Sequence, residues 1–212
     1  MRTTILTARA SVLSATDLLC IRGVHTLFRE IEFSIGAGQW LHVKGDNGAG
    51  KTSLLRMIVG LARPEQGLIL WNAQPIRSCA EQYYLDLHYL GHQACLKDEL
   101  SAFENIWLAS AISGHAIERQ VVEEALELFG LRGRVNQQVG QLSAGQKRRV
   151  CLARLHVQHA RLWVLDEPFA SLDQNAIDVL TATLLTHLNR GGVLVMTSHQ
   201  TIGLPQGRVL TL

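Results

Sequence analysis

The chain has 212 residues, of which 47% are hydrophobic and 18% charged, with a formal net charge of +2. That is enough apolar material for one domain with a substantial core, and too weak a positive field to make nucleic acid an expected partner. Cys20, Cys79, Cys95 and Cys151 are scattered without a CxxC pair, so neither a disulfide framework nor a zinc knuckle is indicated and a reducing cytoplasm fits. No apolar run approaches the roughly 20 residues that span a bilayer, so a membrane role would come through a partner.

The first stretch, "MRTTILTARASVLSATD", has no acid before Asp17 and carries Arg2 and Arg9. Arg9 interrupts the apolar run that a secretory signal needs. Residues 1–16 are therefore read as a plain N-terminal extension and 17–212 as the domain.

"WLHVKG" (40–45) reads as a strand, and the glycine-rich "GDNGAGKTS" (45–53) follows it. "KTSLLRMIVGLA" then places Leu54, Leu55, Ile58 and Leu61 at helical spacing. Gly45, Gly48, Gly50, Lys51 and Thr52 match the phosphate-binding pattern GxxxxGK[ST] in the strand–loop–helix context that gives the pattern meaning. Glycines let successive N–H groups face inward, and the helix N-terminus adds partial positive charge. Lys51 would reach the β- and γ-phosphates, and the Thr52 hydroxyl would bind Mg²⁺.

From about residue 100 to 158 the pattern turns helical: "AFENIWLASAI", then "AIERQVVEEALELFG", then a helix after "QLSAGQKRR" (141–149). Val122, Leu126 and Phe129 share one face opposite Glu123, Glu124 and Glu127, and Gly130 is a fitting C-cap. A helical insertion at about 94–158 follows. Ser143 is a good N-cap, and Ala144 and Gly145 are small enough for an anion to approach free N–H groups. Since the P-loop already cradles its own nucleotide, this second anion site suggests a cap on ATP held by another copy. The basic run Lys147, Arg148 and Arg149 reads as a solvated helix face.

"LWVLD" (162–166) and "VLVMTS" (193–198) are apolar runs typical of strands buried on both faces, joined by the crossover helix "QNAIDVLTATLLTHLN". In "LWVLDEP", Asp166 can support Mg²⁺ through its water shell, and Glu167 can orient or deprotonate an attacking water. The acid pair could also be a helix-initiation signal.

In order, the P-loop, "YLGHQ", "LSAGQ", "LDEP", "SLD" and a late histidine resemble the nucleotide-binding domains of ATP-binding cassette (ABC) transporters, over about residues 17–212. That resemblance implies an α/β P-loop NTPase fold with a mainly parallel core sheet, an antiparallel β subdomain and a helical subdomain. It implies an ATPase that binds ATP and Mg²⁺ as a homodimer. Contacts to nucleotide would come from Gly45, Asp46, Asn47, Gly48, Ala49, Gly50, Lys51, Thr52 and Ser53 of one copy, and from Ser143, Ala144, Gly145, Gln146 and Asp173 at the interface.

Gln93 would stand near Mg²⁺ and the attacking water, and Ser171–Leu172–Asp173 would cross the dimer interface. His199 would contact the γ-phosphate. Mg²⁺ would be held by Thr52, Gln93 and Asp166, with Glu167, His199 and Gln93 serving catalysis.

Within ABC proteins, "YLGHQACLKDELSAFENI", "QLSAGQKRRVCLARL" and "LWVLDEPFASLD" resemble the ATP-binding subunits of cytochrome c maturation (Ccm) haem-export systems. This implies a peripheral subunit on the cytoplasmic face of the inner membrane. Its partners would be integral membrane Ccm subunits and, indirectly, a periplasmic haem chaperone, with no nucleic acid. The competing readings are another ABC transporter, a soluble ABC-type ATPase acting on DNA or ribosomes, which usually carries a coiled-coil insertion or tandem cassettes, and a P-loop small-molecule kinase, which leaves "LSAGQ" and "SLD" unexplained.

Two positions depart from the wider family. Ala144 replaces the usual glycine, and Arg22 or His25 stands where many relatives set an aromatic residue on adenine. Arg22 could stack its guanidinium on the base. The pairs His92/Cys95 and His156/His159 are read as ordinary loop and helix residues rather than haem or metal ligands, and Trp40, Trp71, Trp107 and Trp163 as core or interface residues.

Overall fold

The computed structural model describes residues 11–212 apart from Ala94, His115, His159, Gln200, Thr201, Ile202 and Gln206. Residues 1–10 of the expected extension, and His159 of the second histidine pair, thus lie outside the described residues. The extension ends sooner than expected. Strand β1 runs Ser11–Arg22, with Leu13 opposite both Ile35 and Trp71. Val12, Leu13 and Ala15 are buried, so burial and pairing bring residues 11–16 into the domain.

Two sheets stack against each other. The antiparallel one contains β1, β2 (His25–Gly36), β4 (Gln66–Trp71) and β5 (Gln74–Pro75), in the order β2-β1-β4-β5. The second is parallel throughout, in the order β6-β7-β8-β3-β9. Its members are β3 (Trp40–Lys44), β6 (Leu87–Leu90), β7 (Leu162–Leu165), β8 (Val193–Thr197) and β9 (Gly207–Thr211).

The apolar runs sort by strand alternation. Leu162, Val164, Val193 and Val195 pack toward the antiparallel sheet and helix α1 (Lys51–Ile58). Trp163, Leu165, Leu194 and Met196 pack toward the helices on the other face. A strand with apolar side chains on both faces cannot be an edge facing water, which is why β7 and β8 lie inside the sheet.

The helical part contains α3 (Ala102–Ile112), α4 (Arg119–Leu128) and α5 (Ala144–Val157), with α6 (Gln174–Asn189) crossing from β7 to β8 and the short α2 at Ala80–Leu85. Ser101 and Glu104 form a reciprocal capping box on α3. Helix α4 ends as expected at Gly130 (φ 74°), where the N–H of Gly130 donates to Glu127 and that of Leu131 to Leu126. The same device stops α1 early: Gly60 (φ 76°) turns the chain and Leu61 donates to the Arg56 carbonyl. Leu61, expected on the apolar helix face, is 69% exposed. Trp40, Trp71 and Trp163 are buried, whereas Trp107 is half exposed. No helix among the described residues is long and apolar enough to cross a membrane.

Candidate functional site

The P-loop bridges β3 and α1. Gly48 (φ 88°) and Gly50 (φ 103°) hold backbone that L side chains rarely adopt. A Cβ on Gly50 would also lie 2.9 Å from the Phe28 ring. Gly50 is the N-cap of α1 and supplies no side-chain acceptor, and the first turn carries no acid. The leading N–H groups are therefore left for an anion. Lys51 folds back over the loop, its Nζ donating to the carbonyls of Gly45 (2.7 Å) and Asp46 (3.1 Å).

At the neighbouring strand ends, two hydroxyls orient one carboxylate. Thr52 Oγ1 donates to Asp166 Oδ2 (2.9 Å) and Thr197 Oγ1 to Asp166 Oδ1 (2.7 Å). Thr197 Oγ1 in turn accepts from the Glu167 N–H (2.8 Å). A hydroxyl that gives its proton to Asp166 keeps its lone pairs for a cation, so Thr52 and Asp166 form a donor set suited to Mg²⁺, a hard ion that favours oxygen.

Glu167 sits in the left-handed region (φ 48°), unusual for a non-glycine residue. Its Oε1 is buried without a hydrogen-bond partner. His199, itself exposed, brings Nε2 to 3.5 Å from that atom. A desolvated carboxylate oxygen with unused acceptor capacity is suited to take a proton from, or orient, a water.

These groups share a cavity of about 410 Å³ lined by Asp46–Gly48, Gly50–Ser53, Asp166, Glu167 and His199. Arg22 lines it as well and His25 does not, which favours Arg22 as the residue beside a base. The loop after β6 contributes His92 to the lining, whereas Gln93 is exposed and outside it. A larger cavity of about 770 Å³ lies between α5, α6 and the start of β7 and holds none of the expected site residues.

Helix α5 begins as its sequence suggests. Ser143 caps it, accepting from the Gln146 N–H (3.2 Å) while Gln146 Oε1 accepts from the Ser143 N–H (2.9 Å). Ala144 takes the first helical position without a left-handed backbone, so its methyl group brings no backbone strain there. A Cβ on Gly145 would lie 3.4 Å from the Ser171 carbonyl. Ser143–Gln146 and Asp173 do not line the phosphate cavity of their own chain. Asp173 instead caps α6, accepting from the Ala176 N–H (2.9 Å), and pairs with Arg149 (2.5 Å).

The basic run after the cap is not a solvated face. Lys147 pairs with Asp98 (2.7 Å) and Arg149 with Asp173, while Arg148 is buried. Arg148 Nη1 donates to the Gly91 carbonyl (3.0 Å), and Nη2 donates to those of Asp166 (2.8 Å) and Glu167 (2.7 Å). Sequence reasoning missed Arg148 and Thr197. The only available signal for Thr197 was a hydroxyl at the end of an apolar strand. No group of three or more metal-ligating His, Cys, Asp or Glu side chains occurs among the described residues.

Residues 28–170 match the ABC transporter family. The chain is 44% identical over 201 residues to the cytochrome c biogenesis ATP-binding export protein CcmA of Dechloromonas aromatica, covering 95% of this chain and 98% of that protein. It is 42% identical over 198 residues to CcmA of Escherichia coli K12, covering 93% and 94%. Among solved structures, an ABC transporter ATP-binding protein from Pyrococcus furiosus superposes with a TM-score of 0.81 at 24% identity, covering 93% of this chain and 96% of the other. The ATP-binding subunit of another ABC transporter superposes with a TM-score of 0.78 at 26% identity, covering 89% and 80%. The chain belongs to the ABC transporter family, among its cytochrome c biogenesis ATP-binding export proteins.

Proposed function

We propose that the chain is the ATP-hydrolysing subunit of a membrane ABC complex that handles haem during c-type cytochrome biogenesis, coupling ATP turnover to haem export or to release of a haem chaperone. The observation that carries the ATPase reading is the Glu167 Oε1, buried with no hydrogen-bond partner among the described residues and set in the same cavity as the P-loop. Two copies pair head to tail. Each P-loop faces Ser143–Gln146 of the other copy, since those residues lie outside the cavity of their own chain. Such a dimer seats on integral membrane subunits at the cytoplasmic face of the inner membrane. The haem assignment rests on similarity to the curated cytochrome c biogenesis relatives.

In the reaction, Lys51 leaves the Gly45 and Asp46 carbonyls and binds the β- and γ-phosphates, while the α1 N–H groups hold the remaining oxygens. Thr52 and Asp166 would hold Mg²⁺, which when bound would supply positive charge against the phosphate oxygens. Glu167 orients a water and accepts its proton, and His199 stands beside the γ-phosphate. Gln93, on the exposed loop after β6, comes to this centre when the loop meets a membrane subunit. Asp173 acts at the dimer interface.

Glu167→Gln keeps the shape of the side chain but removes the base. It should lower hydrolysis by about 10²- to 10⁴-fold and leave a stable dimer in ATP and Mg²⁺, measured by light scattering. Persistent hydrolysis by a chain that stays monomeric in ATP would refute the role. For the haem assignment, the chain should be purified from its native membrane in detergent and its companions identified by mass spectrometry. Small polytopic cytochrome c maturation subunits and a haem chaperone are expected. Recovery of an unrelated permease would remove haem from the account, and recovery of ribosomes or DNA alone would overturn the membrane reading.

A further inference from the structure

We infer that Arg148 is a positioning residue that locks helix α5 to the backbone beneath Glu167 and to the start of the loop carrying Gln93, so that the two nucleotide sites of a dimer communicate through each chain. The inference rests on the head-to-tail dimer proposed above. In that dimer Ser143–Gln146 cover the partner's nucleotide, whereas Glu167 faces the chain's own. Only one residue, Lys147, separates Gln146 from Arg148.

The guanidinium spans two adjacent parallel strands. Gly91 follows β6, and Asp166 and Glu167 follow β7; all three carbonyls accept from this one side chain at 2.7–3.0 Å. The Glu167 peptide is held at both ends, by Arg148 at its carbonyl and by Thr197 Oγ1 at its N–H. That double hold keeps Glu167 at φ 48° and aims its carboxylate.

The neighbouring cations do something different. Lys147 and Arg149 pair with carboxylates of Asp98 and Asp173, which are 62% and 57% exposed, where an ion pair contributes little. Arg148 is 7% exposed, and its Nε is buried without a hydrogen-bond partner among the described residues. Among the described residues no carboxylate is hydrogen-bonded to it; its donors face backbone carbonyls at the reacting end of the sheet. A planar fork of donors can hold three such acceptors, whereas a lysine ammonium is a single point on a differently shaped stem. A shift of α5 when it seats on the partner's nucleotide is therefore passed directly to Glu167 and to the Gln93 loop.

The test uses the complex purified with its membrane partners, comparing the parent, Arg148→Lys, Arg148→Gln and Glu167→Gln. Because misplacing a reacting group by about 1 Å can cost roughly 100-fold, Arg148→Lys should lower kcat by about 10- to 100-fold. The KM for ATP, and the affinity for a fluorescent non-hydrolysable ATP analogue, should stay within about threefold of the parent, because Lys51, Thr52 and the α1 N–H groups are untouched. The Hill coefficient for ATP should fall toward 1 as the sites uncouple.

Unchanged kcat and Hill coefficient in both Arg148 variants would overturn the inference. So would parallel losses of kcat and analogue affinity, or failure of both variants to bind the analogue at all, since those mark a role in holding the fold only. If Glu167→Gln itself fails to silence the parent, the ATPase reading of the site falls instead.

Discussion

Replacing His187 with phenylalanine should remove a defined part of the pH dependence of stability. The imidazole lies on α6, stacked on the Trp163 indole with ring centroids 3.8 Å apart and planes 7° from parallel. Its Nε2 is 3.2 Å from the Val193 carbonyl, and only a glycine fits at 192, where a Cβ would run into the ring. Burial lowers its pKa to about 4, against a partial opposing effect of the Val193 carbonyl.

An unfolded histidine protonates near 6.5. The folded state therefore resists protonation that the unfolded chain accepts. The stabilisation is fully present above pH 6.5 and is lost as pH falls from 6.5 toward 4. Between pH 7.5 and pH 5.0 the linkage amounts to about 2 kcal/mol, a sizeable part of the roughly 5–15 kcal/mol that holds a domain folded.

His88 is buried too, and burial, then the nearby Arg154 charge, lowers it to about 3. It is common to parent and variant, so its contribution largely cancels in the comparison. Phenylalanine keeps the stack on Trp163 and cannot titrate. Urea unfolding at the two pH values should show the parent losing about 2 kcal/mol more than His187→Phe. Losses equal to within about 0.5 kcal/mol, the usual error of additivity, would refute the reasoning.

Three other substitutions probe the phosphate site. Lys51→Ala removes one charge-assisted contact and should weaken ATP binding by roughly 10- to 100-fold; calorimetry showing unchanged affinity would exclude Lys51 from the phosphates. Gly50→Ala adds a methyl 2.9 Å from Phe28 at φ 103° and should cost about 1–3 kcal/mol of stability, whereas Gly48→Ala, with open space around it, should show the backbone strain alone. Equal denaturation midpoints for Gly50→Ala and the parent would contradict the packing described.

Much of this architecture is written in local pattern. The P-loop, α3, α6 and the Gly130 stop of α4 each follow from spacing, a cap or a glycine that acts over a few residues. What escaped was set by distant partners. Residues 11–16 read as a tail because their serines, alanine and threonine carry little apolar signal, and only pairing of Leu13 with Trp71 and Ile35 makes them strand. Arg148 looks like its neighbours in a basic run until β6 and β7 bring three carbonyls beneath it. Arg22 and His25 were indistinguishable until the turn between β1 and β2 put one of them at the cavity. The role that the family resemblance implies for Gln93 is not displayed by the exposed loop after β6.

The register of the three central strands sets the ends that carry Asp166 and Thr197 beside each other and beside the start of the P-loop: Val43 lies opposite Thr197, and Leu165 opposite Met196. Threading β8 one residue out of step would turn Thr197 to the opposite face of the sheet and exchange its two apolar faces at the same time. A misthreaded chain would thus lose the hydroxyl that steadies Asp166 and Glu167 together with its core. Retention of nucleotide is in consequence a readout of sheet assembly, and ATP, by stabilising only the molecules that bind it, would act as a selective chaperone for the correctly registered chain.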